Sequence, residues 1–169
     1  MTVKDLQQYI HGDKDAFITK LNSICDKLGI SSDWLIAIMY NESGLNPAAV
    51  NQKSGATGLI QFMPATAKAL GTSTYELKKM SSLNQLDYVY KYFKPYSGKI
   101  DNIQDCYLCI FFPAALNKPD SYIFHTDKLS AKTIAEQNPG FDINKDGQIT
   151  KAEFYKWVEA YMKKKTYKL

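Results

Sequence analysis

What the sequence lacks narrows the field first. No apolar run among its 169 residues approaches the ~20 positions of a membrane-spanning helix, so membrane insertion is not expected. The opening stretch, Met1 to Gln8, carries no apolar h-region and does not read as a signal peptide. Cysteine is scarce and odd in number: Cys25, Cys106 and Cys109. Cys106 and Cys109 stand close together on an expected helix with no histidine nearby, so they read as packed thiols, not metal ligands. The charge imbalance is small. A net charge of +4 does not point to nucleic acid, and much of it sits in Lys163, Lys164, Lys165 and Lys168, which read as a solvated helix end. Acids are missing where a second one would be useful: none lies between Glu42 and Glu76.

What is present suits a globular chain. Hydrophobic residues make up 45% and charged residues 22%, and the length allows one cored domain with at most a small appendage. A first helix is expected from Asp13, a fair N-cap, to Leu28, with Phe17, Leu21, Ile24, Cys25 and Leu28 as its core stripe and Gly29 as its stop. Ser31 or Ser32 caps a second helix that is apolar on all sides and therefore central and buried. Pro64 starts a short helix that stops at Gly71. Ser73 to Glu76 reads as a capping box, which gives Glu76 a structural job. Ser82-Leu83-Asn84-Gln85 reads as another, opening a helix to Lys94 that carries Tyr88, Tyr90, Tyr92 and Phe93. One of these tyrosines is expected to face a cleft, although aromatic helices more often pack. Asp101 or Asn102 caps a further apolar helix that breaks at Pro113. His125 lies in a polar loop and is given no role.

The chain is organised around Trp34 to Met63. An apolar run, Trp34 to Tyr40, ends at Asn41-Glu42-Ser43-Gly44; a polar, Gly-containing stretch follows, then Gly58-Leu59-Ile60-Gln61-Phe62-Met63. Glu42 is one carboxylate at the end of a greasy helix. A carboxyl in apolar surroundings has its charged form disfavoured, which moves it towards general-acid duty. The plainer reading, a helix-terminal Glu in water, is the commoner fate of this residue type.

Glu42-Ser43-Gly44, followed by Ala56-Thr57-Gly58-Leu59-Ile60-Gln61-Phe62-Met63-Pro64, resembles the first two motifs of the soluble lytic transglycosylases and goose-type lysozymes. The resemblance covers roughly residues 15 to 125. It implies an all-α, lysozyme-like catalytic domain acting on peptidoglycan glycan strands, with Glu42 as the catalytic acid. Ser43, Gly58, Leu59, Gln61 and Phe62 would line the substrate cleft, Gln61 through its two-sided amide. The family's third motif, Ala-Tyr-Asn-Ala-Gly, has its best counterpart at Phe111-Phe112-Pro113-Ala114-Ala115. Phe112 would contact substrate where Tyr is usual, and Pro113 stands where Asn is usual.

Near the C-terminus, Asp142 to Glu153 matches the twelve-residue EF-hand loop. Asp142, Asn144 and Asp146 supply oxygens at its first, third and fifth places, Gly147 permits the turn and Gln148 offers its carbonyl. Ile149 is the hydrophobic eighth residue, and Glu153 can close the site bidentately. Helices are expected from Ser130 to Gln137 and from Lys151 to Lys164. A single loop suggests one structural Ca²⁺ clamp, where sensors usually pair two. The expected division is a lysozyme-like domain over 1–128 and an EF-hand-like helix-loop-helix over 129–169, packed on it.

The resemblance implies a single-acid scheme. Most glycosidases use two carboxylates, whereas a lytic transglycosylase uses one residue as acid and then base, giving a 1,6-anhydro product. A hydrolytic goose-type lysozyme is the alternative, with Asp87, Asp101 or Asp105 as a possible helper; a non-catalytic calcium-binding module is the alternative of another class. The expected partner is peptidoglycan, with no nucleic acid and a monomeric chain. The expected setting is the cell wall, periplasmic, extracellular or phage-delivered.

Overall fold

Leu35 to Met39 are each 1% exposed or less, so this stretch meets protein on every side. Each large aliphatic side chain so buried contributes about 1.5–3 kcal/mol. The computed structural model describes residues 1–166 and parts the chain into two units, Met1 to Ile103 and Gln104 onward. Lys168, expected in the basic tail, lies outside the described residues.

The first unit is built from α1 (Val3–Leu6), α2 (Lys14–Leu28), α3 (Ser32–Ser43), α4 (Pro64–Ala69), α5 (Thr74–Lys79) and α6 (Ser82–Phe93). Asp13 caps α2, and Gly29 ends it in a left-handed conformation (φ 71°). Ser31 caps α3, accepting from the Asp33 N–H, and Gly44 closes it. Asp33 reaches across and accepts from the Val3 N–H at 2.7 Å, fastening α1 to α3. α2 packs against both α3 and α6. The Lys20–Asp87 ion pair (2.8 Å) bridges α2 to α6 and is solvated enough to contribute only about 0–1 kcal/mol.

The start of α6 differs from expectation. Ser81, not Ser82, is its N-cap, accepting from the Asn84 N–H. Ser82 is buried and donates to the His11 carbonyl. Gln85 closes no capping box. The buried face of α6 is Ser82, Gln85, Leu86, Val89 and Phe93, so two polar residues sit on the stripe that meets the core.

The second unit holds α7 (Ile103–Phe111, whose first residue falls in the first unit), α8 (Ala131–Gln137) and α9 (Lys151–Thr166). Its boundary lies well before the expected 128/129. The reason is aromatic: Phe111, Phe112 and Phe124 pack with Phe141, Phe154 and Trp157, so the segment after α7 shares a core with α9. Cys25, Cys106 and Cys109 are all buried. Burial pushes the Cys25 thiol up to about 11 and that of Cys109 to about 12, as expected of packed, unreactive thiols.

Among the described residues there is no β-strand, only isolated bridges, and the unit architecture is all-α. No described helix is long and apolar enough to cross a membrane.

Candidate functional site

Between α3 and α4 the chain folds without helix. Thr57 and Phe62 exchange backbone hydrogen bonds at 3.0 and 2.9 Å, and Val50 bridges Thr57 from the other side. This makes 57–62 a small hairpin whose tip is Gly58 to Gln61. Gly58 (φ 86°) sends its N–H to the Ala49 carbonyl, and the Gln61 N–H returns to the Gly58 carbonyl at 3.0 Å. Gln61 itself is left-handed (φ 54°), an uncommon conformation for a residue with a side chain.

Glu42 and Ser43 end α3, and both are half-buried. The Ser43 hydroxyl shares its proton between the carbonyls of Met39 (2.9 Å) and Leu59 (3.0 Å). The end of the Glu42 helix and the tip of the hairpin are thereby bound together. Two stretches separate in sequence become one site.

The other expected binding residues are distributed unevenly. Leu59 is 0% and Phe62 2% exposed, so both side chains are spent on the core. The Phe62 ring stands edge-on to Tyr92 of α6 at 6.3 Å. Gln61 is half-buried, and its Nε2 donates to the Gly58 (3.1 Å) and Ala49 (3.3 Å) carbonyls. Its amide hydrogens are thus turned inward on the loop. Phe112 belongs to the second unit, where its ring is buried and stacks on Phe124 at 4.5 Å and 3°.

Two of the three candidate helper acids, Asp87 and Asp105, are engaged elsewhere. Asp87 is paired with Lys20. Asp105, in the second unit, is 6% exposed and accepts from the Tyr155 hydroxyl. Of the capping box expected at Ser73, one half forms: Ser73 caps α5 by accepting from the Glu76 N–H, so Glu76 contributes its backbone to the cap.

Gln85, expected to close a capping box, does something else. It is fully buried, accepts from the Leu59 N–H (2.9 Å), and donates to the carbonyls of Pro47 and Leu77 (both 2.6 Å). The available signal was its place in the i, i+3, i+4 series with Ser82, Leu86 and Val89.

Residues 21–102 match the family model of the Transglycosylase SLT domain. The matched segment takes in the Glu42 helix, the 57–62 hairpin and α6. It supports a lytic transglycosylase-type, peptidoglycan-degrading function and the lysozyme-like, all-α reading. It ends before α7 and the 142–153 loop. No solved structure matches the chain. A match to this domain implies a peptidoglycan substrate and action on the cell wall.

The second candidate site, in the other unit, is the 142–153 loop. Its carboxylates are turned onto its own backbone: Asp142 accepts from the Gly147 N–H (3.0 Å) and the Asp146 N–H (3.2 Å), and Asp146 accepts from the Gln148 N–H (2.9 Å). Glu153 accepts from the Asn144 N–H and from both the N–H and hydroxyl of Thr150. Burial alone would push the Glu153 carboxyl up, but these hydrogen bonds outweigh it and leave the group below its ordinary range. Gly147 sits at φ 82°, and Ile149 is 0% exposed.

The donor set of Asp142, Asn144, Asp146, Glu153 and the Gln148 carbonyl is all hard oxygen, which fits Ca²⁺. Among the described residues, however, no group of three His, Cys, Asp or Glu side chains is gathered closely enough to hold a metal. The approach to the loop is also irregular, because α8 ends at Gln137, before Asn138-Pro139-Gly140-Phe141. In place of a second loop, the 122–124 segment pairs with it: the Phe124 N–H donates to the Ile149 carbonyl (2.8 Å), the Lys151 N–H to Tyr122 (2.9 Å), and Ile123 bridges Thr150.

Proposed function

We propose that this chain is a peptidoglycan lytic transglycosylase that breaks the β-1,4 bond after N-acetylmuramic acid with Glu42 as its one acid and base. The observation that carries this reading is the union of Glu42-Ser43 with the 57–62 hairpin through the Ser43–Leu59 hydrogen bond, inside the segment that matches the SLT domain. A half-buried carboxyl there can meet substrate on one side while remaining partly shielded from water.

The reaction needs no second carboxylate. Glu42 gives its proton to the glycosidic oxygen, and the C1–O bond breaks as the substrate's N-acetyl oxygen bonds to C1. The Glu42 carboxylate then takes the proton of the C6 hydroxyl. O6 attacks C1, the acetamido oxygen departs, and a 1,6-anhydro ring closes with Glu42 again protonated. Asp87 is paired with Lys20 on the surface, which suits a single-acid scheme. Ser43 contributes by holding the end of α3 to the loop, and Gln61 by presenting its remaining amide oxygen.

Asp142, Asn144, Asp146, Gln148 and Glu153 would hold one Ca²⁺, which when bound would tie the loop's carboxylates together and steady α9. No step of the glycan chemistry passes through it.

The test is mass spectrometry of purified peptidoglycan digested with wild type and with Glu42→Gln. Anhydro-muropeptides that vanish in the variant support the reading. Reducing-end products would replace it with a goose-type lysozyme, and no product from wild type would favour a binding module.

A further inference from the structure

We propose that Gln85 is a positioning residue that holds the Gly58–Gln61 tip in register with the end of the Glu42 helix. The kinetic consequences rest on the transglycosylase reading; the structural ones do not.

Gln85 is 0% exposed on a helix face that it shares with Ser82, Leu86, Val89 and Phe93. Burying an amide there is costly unless its hydrogen-bonding capacity is met. It is met by three backbone groups from three segments: the Leu59 N–H on the hairpin tip, the Pro47 carbonyl after α3 and the Leu77 carbonyl in α5. The orientation of the amide is fixed by chemistry. Reversing it would set its oxygen against two carbonyl oxygens and its NH₂ against an N–H.

Gly58 completes the fit. A Cβ at that position would stand 2.5 Å from Gln85 Oε1, so only the absence of a side chain lets the amide come this close. Two successive peptide groups of the tip are then held by two different helices. The N–H of Leu59 is held by Gln85, and its carbonyl by Ser43, the residue after Glu42. An amide at this point sets the distance between the tip and the acid, beyond supporting the core.

Gln85→Glu separates the two roles. The acid keeps an acceptor for the Leu59 N–H, but only its protonated form can donate to a carbonyl. A buried carboxyl facing two carbonyl oxygens holds its proton well above the ordinary range. The variant should therefore lose activity as pH rises. We expect kcat reduced about tenfold or more near pH 8 with KM within about twofold, recovering towards pH 5 relative to wild type at the same pH. Leu28→Ala, a core truncation in α2, serves as the destabilised control and should keep its kcat.

A folded Gln85→Glu with wild-type kcat at both pH values, or a loss matched by Leu28→Ala, overturns the proposal. Amide exchange supplies a readout independent of catalysis and of whether variants fold. The Leu59 amide of wild type should exchange about as slowly as the core of α3, and fast exchange there overturns the proposal too. Should Glu42→Gln leave the product pattern unchanged, the transglycosylase reading falls, and Leu59 exchange still decides the role of Gln85 in holding the tip.

Discussion

Ser43 and Leu59 are joined by a 3.0 Å hydrogen bond from hydroxyl to carbonyl, and that bond fastens the residue after Glu42 to the loop that faces it. The resemblance implies that Ser43 lines the substrate cleft. The geometry gives its proton to two backbone carbonyls of the protein itself. Ser43→Ala should therefore lower stability by about 1 kcal/mol and lower kcat with it. Thermal unfolding alongside steady-state turnover checks this. An unchanged Tm with a raised KM would mean the hydroxyl serves substrate.

Gly58 is demanding for two reasons at once. Its φ of 86° disfavours any side chain, and the added Cβ would collide with the Gln85 amide. Gly58→Ala should cost about 1–3 kcal/mol for the backbone strain alone, and more once Gln85 is displaced from Leu59. Denaturant unfolding reads the loss. A variant as stable as wild type would show that the tip yields freely and that the contact does not constrain it.

Asp105 and Tyr155 give the second unit a polar tie within its aromatic core. Burial, and then the hydrogen bond to Asp105, push the Tyr155 phenol far above its usual range. The sign follows directly. The raised pKa stabilises the fold fully below the ordinary tyrosine value of about 10, and that contribution is lost as pH climbs from there towards the folded value. Tyr155→Phe should cost about 1.5–3 kcal/mol at neutral pH, since the acceptor is a carboxylate. It should also flatten the alkaline fall in stability relative to wild type, as followed by urea unfolding from neutral pH to about pH 11.

The fold was largely legible because the local signals were strong and agreed with one another. Asp13 and Gly29 bound α2 as a capping residue and a left-handed stop should, and the apolar run is indeed buried on every side from Leu35 to Met39, with Trp34 and Tyr40 half-buried at its ends. The capping-box pattern failed at Ser82 because Ser81 offered an equally good hydroxyl one residue earlier. The core then claimed both Ser82 and Gln85. Gln85 was hard to see for a physical reason: its partners are backbone groups of Pro47, Leu59 and Leu77, and a backbone amide leaves no mark on composition. The same holds for the pairing of Phe124 with Ile149, and for the inward turn of the Gln61 amide. Motifs name the residues of a site. Which of them meet substrate and which hold the loop is decided by tertiary packing.

Calcium supplies the last prediction. If the 142–153 loop binds Ca²⁺, the carboxylates now satisfied by loop amides must turn towards the ion, Glu153 away from Thr150 and Asn144 among them. The loop leads directly into α9, whose Phe154 and Trp157 belong to the aromatic core, and its Ile149 is paired with Phe124. Binding should therefore steady the whole second unit. At a Ca²⁺ concentration of about 100 times Kd the gain is about 2.7 kcal/mol, read as a Tm that rises with added Ca²⁺ and falls with EDTA. The near-UV circular dichroism of the Phe, Tyr and Trp cluster should change over the same range. Asp142→Ala should respond to neither, and its Tm should fall somewhat below that of wild type in EDTA, because it also loses the bonds from the Gly147 and Asp146 N–H groups. A wild-type Tm and near-UV spectrum identical in Ca²⁺ and EDTA would reduce the loop to a hydrogen-bonded turn capped by Thr150 and Glu153, a role its present geometry already fulfils.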